Sequence, residues 1–345
     1  MTVAPQRSQA RGLPFAAEPA TTGLPVTADA PLAGAAVRRA LHQAPNAVLM
    51  VRPHFFTPNP ETMVDNEFMT VPDSSPDEVA RAAYLEVTVM ADQLRAAGVD
   101  VHLMEDVGRA TPDSVFPNNW FTTHADGSLV TYPMRSTARR WERRVDIIAD
   151  LHQQFEITRN SDYTAWEEVG RYLEGTGVMV LDHLSRIAYV CRSPRADEKV
   201  LRLFCRDHGY RAVVFDATDA GGVPIYHTNV MMAVGTQIAI VALETIRDPE
   251  ERARLVHELD ESGREVVSIS EEQMGEFAGN ALEVWTGTHP LLVMSARGWR
   301  SLDTAQQRRL ESAHEVLPVD VATIEHAGGS ARCMLAGLHA PARSA

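Results

Sequence analysis

Four short polar segments of the chain carry the residue types that nucleophilic catalysis requires. They are D-S-V-F-P-N-N-W (113–120), L-E-G-T-G (173–177), Y-H-T-N-V (226–230) and G-G-S-A-R-C-M (328–334). Glycine or proline in three of the four favours a loop conformation. Because a rigid scaffold presents its reactive groups on loops, these segments together define the candidate site.

The cysteine of the last segment, Cys333, is the candidate nucleophile. A thiol on a Gly-Gly-Ser turn can be approached closely by a ligand and activated by neighbouring N–H groups or by an imidazolium. His227 would supply the acid and the base that such a thiol requires, and Glu174 could orient the imidazole or hold a substrate nitrogen. The alternatives are a buried inert thiol, a structural or exposed histidine, and a turn carboxylate in water.

Charge and composition bear on the class of partner. The 345 residues contain 32 Lys and Arg against 46 Asp and Glu, and the formal net charge of -14 repels phosphate backbones and anionic lipids. No apolar run reaches the ~18 residues of a membrane span. We therefore expect no nucleic acid and no membrane as partners. Three cysteines without a C-x-x-C pair predict a reducing, cytoplasmic location, and histidines without ligand spacing predict no metal site.

Strand and helix patterns recur along the chain. An apolar run at 47–51 predicts a buried strand, and an amphipathic pattern closed by Gly98 predicts a helix over 77–97. Later segments repeat this order, with strands predicted at 178–190, 211–215, 230–243, 265–269 and 291–295 and helices at 195–208, 248–262 and 303–314. A β-β-α-β unit of roughly 50 to 60 residues, repeated about five times, indicates an α/β propeller of small modules.

The first 45 residues differ in composition from the rest. They are rich in Ala, Pro, Thr and Gly and contain no continuous apolar stretch of a signal peptide. This composition predicts a flexible N-terminal extension over 1–45, with a short helix at 32–43. Residues 46–345 are then predicted to form a single catalytic domain.

The order of the segments along the chain resembles that of a known enzyme superfamily. The Asp/Asn loop, L-E-G, H-x-N and G-G-x-x-x-C resemble the guanidino-group modifying enzymes, which include arginine deiminase, dimethylarginine dimethylaminohydrolase and the amidinotransferases. The likeness covers residues 47–341 and is greatest to the citrulline utilisation hydrolase group, through R-P-H-F-F-T-P-N-P-E-T, F-P-N-N-W, L-E-G-T-G and R-C-M-L-A. It implies the pentein fold, a five-bladed α/β propeller with its active site in the central channel.

The resemblance also implies roles for individual residues. Cys333 would attack the central carbon of a guanidinium or ureido group. His227 would protonate the departing nitrogen and activate water, and Glu174 would contact substrate nitrogens and the histidine. Arg195 would pair with the substrate α-carboxylate, and Asp113 would lie near the amino-acid end of the substrate.

The arginine run that contains Arg135, Arg139 and Arg140 is open to two interpretations. We interpret it as a solvated basic face, and a helper role at the site is the alternative.

Three positions depart from the pattern of the family. Asn119 stands where deiminases and dimethylaminohydrolases carry an acid, and Asn229 stands where deiminases have H-x-D. Gly177 replaces the second acid of L-E-G-G-D relatives, so all three changes remove negative charge. Because an amide can donate to a carbonyl oxygen, Asn118 and Asn119 are predicted to bind the oxygen of a neutral ureido group.

The predicted function is cysteine-dependent hydrolysis of citrulline, or of arginine through citrulline, to ornithine, carbon dioxide and ammonia. The alternatives are a deiminase or dimethylarginine dimethylaminohydrolase that stops at citrulline, an amidinotransferase, and, from a different class, a non-catalytic pentein binding protein. No cofactor is predicted, because the thiolate and imidazole supply nucleophile and proton relay. The predicted partner is a small amino-acid substrate, and a homodimer is the base-rate expectation.

Overall fold

The computed structural model describes residues 42–63 and 66–343. The helix predicted at 32–43 and the extension predicted at 1–45 lie almost wholly outside the described residues. Among the helices in the described range, none combines the length and the apolar character of a membrane span.

The described residues contain fifteen strands in five sheets of three. In every sheet the central strand pairs antiparallel with one neighbour and parallel with the other. A parallel pair requires a crossover connection, and a helix supplies it in each sheet. The predicted repeat of five β-β-α-β modules is therefore confirmed.

The elements of the first three modules follow one another along the chain. The first contains β1 (Ala47–Pro53), α1 (Pro76–Ala96) and β2 (Asp100–Asp106). The second contains β3 (Phe121–Thr123), β4 (Ser128–Thr131), α2 (Thr137–Arg140), α3 (Val145–Gln154) and β5 (Arg159–Asp162). The third contains α4 (Gly175–Val178), β6 (Val180–Asp182), β7 (Ile187–Cys191), α5 (Glu198–His208) and β8 (Arg211–Phe215).

The last two modules have the same order, and the end of the chain returns to the first. The fourth contains α6 (Thr228–Met231), β9 (Met232–Val234), β10 (Ile238–Val241), α7 (Pro249–Glu261) and β11 (Glu265–Ser268). The fifth contains α8 (Glu271–Gly275), β12 (Leu282–Trp285), β13 (Pro290–Ser295), α9 (Ala296–Ser301), α10 (Thr304–Glu311) and β14 (Glu315–Val319). The chain then forms α11 (Ala322–Glu325) and β15 (Ala336–Leu338), which completes the first sheet.

Five inner strands surround a central channel. These strands are the antiparallel partners β15, β3, β6, β9 and β12, and residues of all five line one cavity. Neighbouring inner strands contact one another, for example β15 with β3 and β6 with β9. The ring closes where β15 pairs with β1, with Leu338 opposite Ala47.

The helix α5 begins later than its sequence pattern predicts. The prediction was 195–208, but the side chain of Asp197 accepts hydrogen bonds from two backbone N–H groups at 2.9 and 3.1 Å. An aspartate in this role is an N-cap, so the helix starts at Glu198. Arg195 consequently lies in the loop before the helix, at the edge of the channel.

Candidate active site

The four candidate segments occupy equivalent positions in their modules, because each lies just before an inner strand. Asn119 precedes β3, and Glu174 precedes α4 and β6. His227 precedes α6 and β9, and Cys333 precedes β15. The inner strands surround the channel, so this shared position brings the four side chains together. The fifth equivalent position, before β12, is Asn280.

A small cavity at the end of the channel where the inner strands begin is lined by five of the predicted site residues. The full lining is Thr62, Asn66, Asp113, Phe116, Asn119, Arg139, Arg195, Tyr226, His227, Ala327, Gly329 and Cys333. Glu174 and Asn229 do not line it but contact residues that do.

His227 and Glu174 form a buried pair. Nε2 of His227 lies 2.7 Å from Oε2 of Glu174. Burial lowers the pKa of His227 to about 4, although the carboxylate opposes this shift. Burial acts to raise the pKa of Glu174, but the charge of Arg195 and the hydrogen bond from His227 outweigh it and hold that pKa well below its usual range. Near neutral pH the ionised Glu174 therefore accepts from Nε2–H, and Nδ1 of the neutral His227 is left as an acceptor.

Two neighbours orient the side-chain amide of Asn119. Nη2 of Arg139 donates to Oδ1 at 3.4 Å, and Nδ2 lies 3.5 Å from Nδ1 of His227. Gly177 packs against the same amide, and a Cβ there would lie 2.3 Å from Nδ2. The oxygen of the amide is thus directed at the arginine and its N–H group at the unprotonated nitrogen of the histidine.

The thiol of Cys333 is contacted by two amides. Nδ2 of Asn280 lies 3.2 Å from Sγ, and Nδ2 of Asn229 lies 3.5 Å from it. Asn280 also donates to the carbonyl oxygen of Asn229 at 2.9 Å and accepts from the backbone N–H of Arg332 at 3.0 Å. N–H donors stabilise a thiolate, so the two amides favour the nucleophilic form of the cysteine.

Cys191 and Cys205 have the properties of inert core thiols. Burial raises the pKa of Cys191 to about 12 and the pKa of Cys205 to about 11. Neither residue lines the candidate cavity. Cys333 is therefore the thiol that the structure presents to a ligand.

The position of Arg139 shows that the solvated interpretation of the arginine run was wrong for this residue. Its side chain is 3% exposed and donates to both carboxylate oxygens of Glu142 at 2.9 and 3.0 Å. Its Nε also lies 3.7 Å from Oδ2 of Asp113. A guanidinium out of water requires such partners, and α2 holds it against the cavity. Arg135 is exposed, as the solvated interpretation predicted. Arg140 is half-buried, and its Nε lies 3.3 Å from Oε2 of Glu167.

Asp113 presents a carboxylate to the cavity. Its Oδ2 accepts from Nδ2 of Asn59 at 2.8 Å and from the hydroxyl of Thr62 at 3.4 Å. Its Oδ1 has no hydrogen-bond partner among the described residues. Burial raises the pKa of Asp113, and the charge of Arg139 opposes that rise. An ammonium group is the natural partner for the remaining acceptor.

Arg195 lies beside the pair formed by His227 and Glu174. Its Nη1 lies 3.5 Å from Oε2 of Glu174, and its guanidinium lies 5.0 Å from the ring centroid of Tyr226. The hydroxyl of Tyr226 donates to the carbonyl oxygen of Gly328, which holds the ring in place. The cavity is therefore lined by two cations, Arg139 and Arg195. The predicted contact of Arg195 with a substrate carboxylate stays a prediction.

The structure does not bring Asn118 to the cavity. Its Nδ2 donates to the hydroxyl of Thr176 at 3.3 Å, and this threonine lines the channel on the other side of the site. Of the two asparagines in F-P-N-N-W, only Asn119 therefore lines the cavity.

The described residues contain no group of three His, Cys, Asp or Glu side chains that could hold a metal ion. The side chains that do converge are a thiol with two N–H donors, an imidazole paired with a carboxylate, and two arginines. Such a set can form and hydrolyse a covalent bond between sulfur and a carbon of the substrate.

Comparison with known structures identifies the fold. The N-terminal domain of ArgZ, a cyanobacterial arginine dihydrolase solved with its substrate, is 16% identical at a TM-score of 0.66, with coverage of 86% of this chain and 98% of that domain. A dimethylarginine dimethylaminohydrolase from Pseudomonas aeruginosa, solved with citrulline, is 17% identical at 0.59, with coverage of 85% and 98%. A variant of the ArgZ domain in which serine replaces an asparagine is covalently bound to a reaction intermediate. At these identities the likeness shows the pentein fold alone, as predicted.

No curated protein matches the chain in sequence. The predicted likeness to the citrulline utilisation hydrolase group stays a prediction. Residues 52–340 match the family model described as N,N dimethylarginine dimethylhydrolase, eukaryotic. The chain therefore belongs to the dimethylarginine dimethylhydrolase family of the guanidino-group modifying superfamily, hydrolases that act on carbon–nitrogen bonds.

Proposed function

We propose that this hydrolase converts citrulline to ornithine, carbon dioxide and ammonia through a covalent intermediate on Cys333. Arginine taken through two successive hydrolyses is a close variant of the same proposal. The observation that carries it is the orientation of the Asn119 amide, with its oxygen on Arg139 and its N–H group on the side of His227.

An N–H group at this position suits the oxygen of a ureido group. A guanidinium offers donors only, so an amide that also donates gains nothing from it, whereas a ureido oxygen can accept. A carboxylate at position 119 would instead attract a cation and would lie next to Arg139 and His227. The amide therefore favours citrulline over arginine as the group that is bound for attack.

The charges around the cavity support the same choice. The carboxylate of Glu174 has Arg195 within 3.5 Å, and the carboxylate of Asp113 has Arg139 within 3.7 Å. Arg139 also pairs with Glu142, but burial raises the pKa of Glu142 to about 8, so this acid is largely neutral near pH 7. Little unbalanced negative charge is therefore left to bind a guanidinium.

The residues supply every proton that the reaction requires. Cys333 gives its proton to His227 and attacks the ureido carbon as a thiolate, and His227 protonates the terminal nitrogen, which leaves as ammonia. Water then gives a proton to His227 and attacks the same carbon, and the carbon–sulfur bond breaks to restore the thiolate. The carbamic acid that is released separates into ornithine and carbon dioxide. The reaction consumes one water, and ornithine, carbon dioxide and ammonia together contain all the atoms of citrulline and that water.

A covalent intermediate in one structural neighbour supports the covalent step of the proposal. ArgZ is an arginine dihydrolase, and replacement of one of its asparagines by serine accompanies a covalent intermediate. We propose that Asn119 acts at this covalent stage, as its contact requires, by holding the ureido oxygen while the carbon is bonded to Cys333.

A product assay by mass spectrometry tests the proposal. Purified enzyme is incubated separately with citrulline, arginine and methylated arginines, with Cys333→Ala as the inactive control. We expect ornithine from citrulline, and we expect Asn119→Asp to lose this activity while it retains the fold. Enzyme that leaves citrulline unchanged, yet is alkylated at Cys333, would refute the proposal.

The family match favours a second candidate, a dimethylarginine dimethylaminohydrolase that stops at citrulline. In that case Glu174 alone would bind the cation, with no second acid at Gly177. The same assay separates the two, because citrulline would accumulate from a methylated arginine and no ornithine would form.

A further inference from the structure

A second cavity lies in the central channel beyond the catalytic residues. It has a volume of about 50 Å³ and is lined by residues of all five inner strands. Its polar lining includes Thr123, Thr176, His183, Arg332 and His339, and none of its lining residues is Asp or Glu.

Arg332 gives this cavity its charge. Its Nη1 donates to the carbonyl oxygen of Leu335 at 3.0 Å, and no carboxylate of the described residues lies within ion-pair distance. Burial lowers the pKa of Arg332, but a guanidinium stays protonated at neutral pH. Arg332 is half-buried, and a partly desolvated cation without a carboxylate beside it favours an anion.

Two histidines lie in the lining of the cavity together with Arg332. The rings of His183 and His339 have centroids 3.8 Å apart, and both line the cavity with Arg332. Burial lowers the pKa of both, and the charge of Arg332 contributes to both shifts. Neutral imidazoles can donate one N–H group each to an anion. Asp182, which follows Leu181 of the lining, is paired with Arg264 at 2.7 Å and offers no charge to Arg332.

Arg332 is also connected to the nucleophile. It precedes Cys333 in the chain, and its backbone N–H donates to Oδ1 of Asn280 at 3.0 Å. The other end of the same amide contacts Sγ of Cys333 at 3.2 Å. A positive charge on the residue beside the nucleophile attracts the negative charge that Sγ carries when it attacks, so a change at Arg332 can reach the thiol.

We propose that the cavity around Arg332 binds a small monovalent anion of the size of chloride, and that the bound anion decreases the reactivity of Cys333 by offsetting the charge of Arg332. A volume of about 50 Å³ accommodates such an ion with little water and does not accommodate an amino acid. The site is independent of the substrate, because no residue of its lining belongs to the lining of the catalytic cavity.

The test measures binding and reactivity separately, with chloride as the probe. Line broadening of ³⁵Cl in NMR reports binding, and the rate of Cys333 alkylation by iodoacetamide reports reactivity. Chloride replaces gluconate at constant ionic strength, so that general screening does not change. Arg332→Met removes the charge, and Arg206→Met removes an arginine that is 67% exposed on α5 as the matched control.

We expect chloride to slow alkylation saturably, by roughly threefold or more, in the wild type and in Arg206→Met. In Arg332→Met the rate should be low without chloride and insensitive to it, and the ³⁵Cl broadening should be lost. A chloride effect that persists in Arg332→Met would overturn the proposal, because the anion would then act at Arg139 or Arg195.

A second variant guards against misfolding of Arg332→Met. Ala233, which is 8% exposed, lines the cavity on β9, and Ala233→Leu fills part of the cavity without altering any charge. This variant should lose chloride binding and keep the alkylation rate of the chloride-free wild type. Absence of any saturable chloride effect in the wild type would also overturn the proposal, whatever the substrate of the enzyme is.

Discussion

The amide of Asn280 is placed to control the reactivity of the Cys333 thiol. It contacts Sγ at 3.2 Å and is held by the backbone of Asn229 and of Arg332. Hydrogen bonds to charged groups contribute about 1.5–3 kcal/mol, so loss of this donor should slow alkylation of Cys333 by roughly 10-fold to 100-fold. We expect Asn280→Ala to show this loss in an iodoacetamide assay, with a decrease in kcat of similar size.

The control for this variant is Asn160→Ala, at an exposed asparagine on β5 whose side chain contacts His152. It should alkylate at the wild-type rate. Equal rates for Asn280→Ala and the wild type would mean that the thiolate does not depend on this amide.

At the residue scale the sequence predicted the reactive centre better than its surroundings. Cys333, His227 and Glu174 were predicted from residue type and motif order, and the structure brings the first two to one cavity with Glu174 behind the histidine. Asn280 was missed because an asparagine in A-G-N-A-L carries no local signal. Its position before the inner strand of the fifth module could have indicated it. The burial of Arg139 was missed because a local run of arginines does not show that α2 packs against the cavity.

At the scale of elements, the turn that follows Glu174 requires a glycine at position 177, because there is no space for a side chain there. A Cβ at Gly177 would lie 2.3 Å from Nδ2 of Asn119 and 2.8 Å from Cε1 of His227. Gly177→Ala should therefore displace the amide and the imidazole and reduce kcat by about 100-fold, the range that general acid–base catalysis contributes. The measurement is steady-state kinetics on the substrate identified in the product assay.

A glycine with free space around it provides the comparison. Gly275, at the end of α8, has no atom within 4 Å of the position that a Cβ would occupy. Gly275→Ala should keep the wild-type kcat and the wild-type urea midpoint. If Gly177→Ala and Gly275→Ala have the same kcat, the close contacts of Gly177 with Asn119 and His227 do not determine the activity.

A cluster of four histidines from the first three modules should make the fold sensitive to acid. Burial lowers the pKa of His208 to about 4 and of His339 to about 3, and lowers those of His124 and His183 well below the ordinary value. In the unfolded chain each histidine takes up a proton near pH 6.5, whereas the native state resists protonation. Stability is therefore complete above pH 6.5 and decreases as the pH falls, by at most about 1.4 kcal/mol per histidine and pH unit.

Urea unfolding at pH 7.5 and pH 5 measures this loss. His208→Phe, which keeps a ring against Phe204 and His124, should show a smaller decrease in the free energy of unfolding between the two pH values. His257→Gln, at an exposed position of α7, should decrease as much as the wild type does. An unchanged pH dependence in His208→Phe would contradict the assignment.

The boundaries of elements were predicted where a local signal determines them. The helix predicted at 77–97 is observed as α1 over Pro76–Ala96, and the strand predicted at 211–215 is β8 with those bounds. The helix predicted at 195–208 starts late, because its pattern of apolar residues does not distinguish a helical residue from the loop before the Asp197 cap. That difference of three residues is what places Arg195 at the site.

At the scale of the whole molecule, the repeat predicted five modules but not the way in which the ring closes. No pattern in the sequence indicates that β15 pairs with β1, because that contact joins residues almost three hundred positions apart, Leu49 and Ala336 among them. The closure also determines the site, since Cys333 lies three residues before β15.

Closure of the ring should be a cooperative part of the fold. Leu338 of β15 is 1% exposed and packs in one cluster with Leu49 of β1 and Trp120. Replacement of a buried leucine by alanine costs about 2–5 kcal/mol, so Leu338→Ala should lower the urea midpoint strongly. Leu85→Ala, at a residue 60% exposed on α1, should change the free energy of unfolding by less than about 0.5 kcal/mol. Because β15 carries the nucleophile's loop, we expect Leu338→Ala to lose activity at urea concentrations below its unfolding midpoint. If activity and far-ultraviolet circular dichroism instead decline together, the first sheet does not open before the rest.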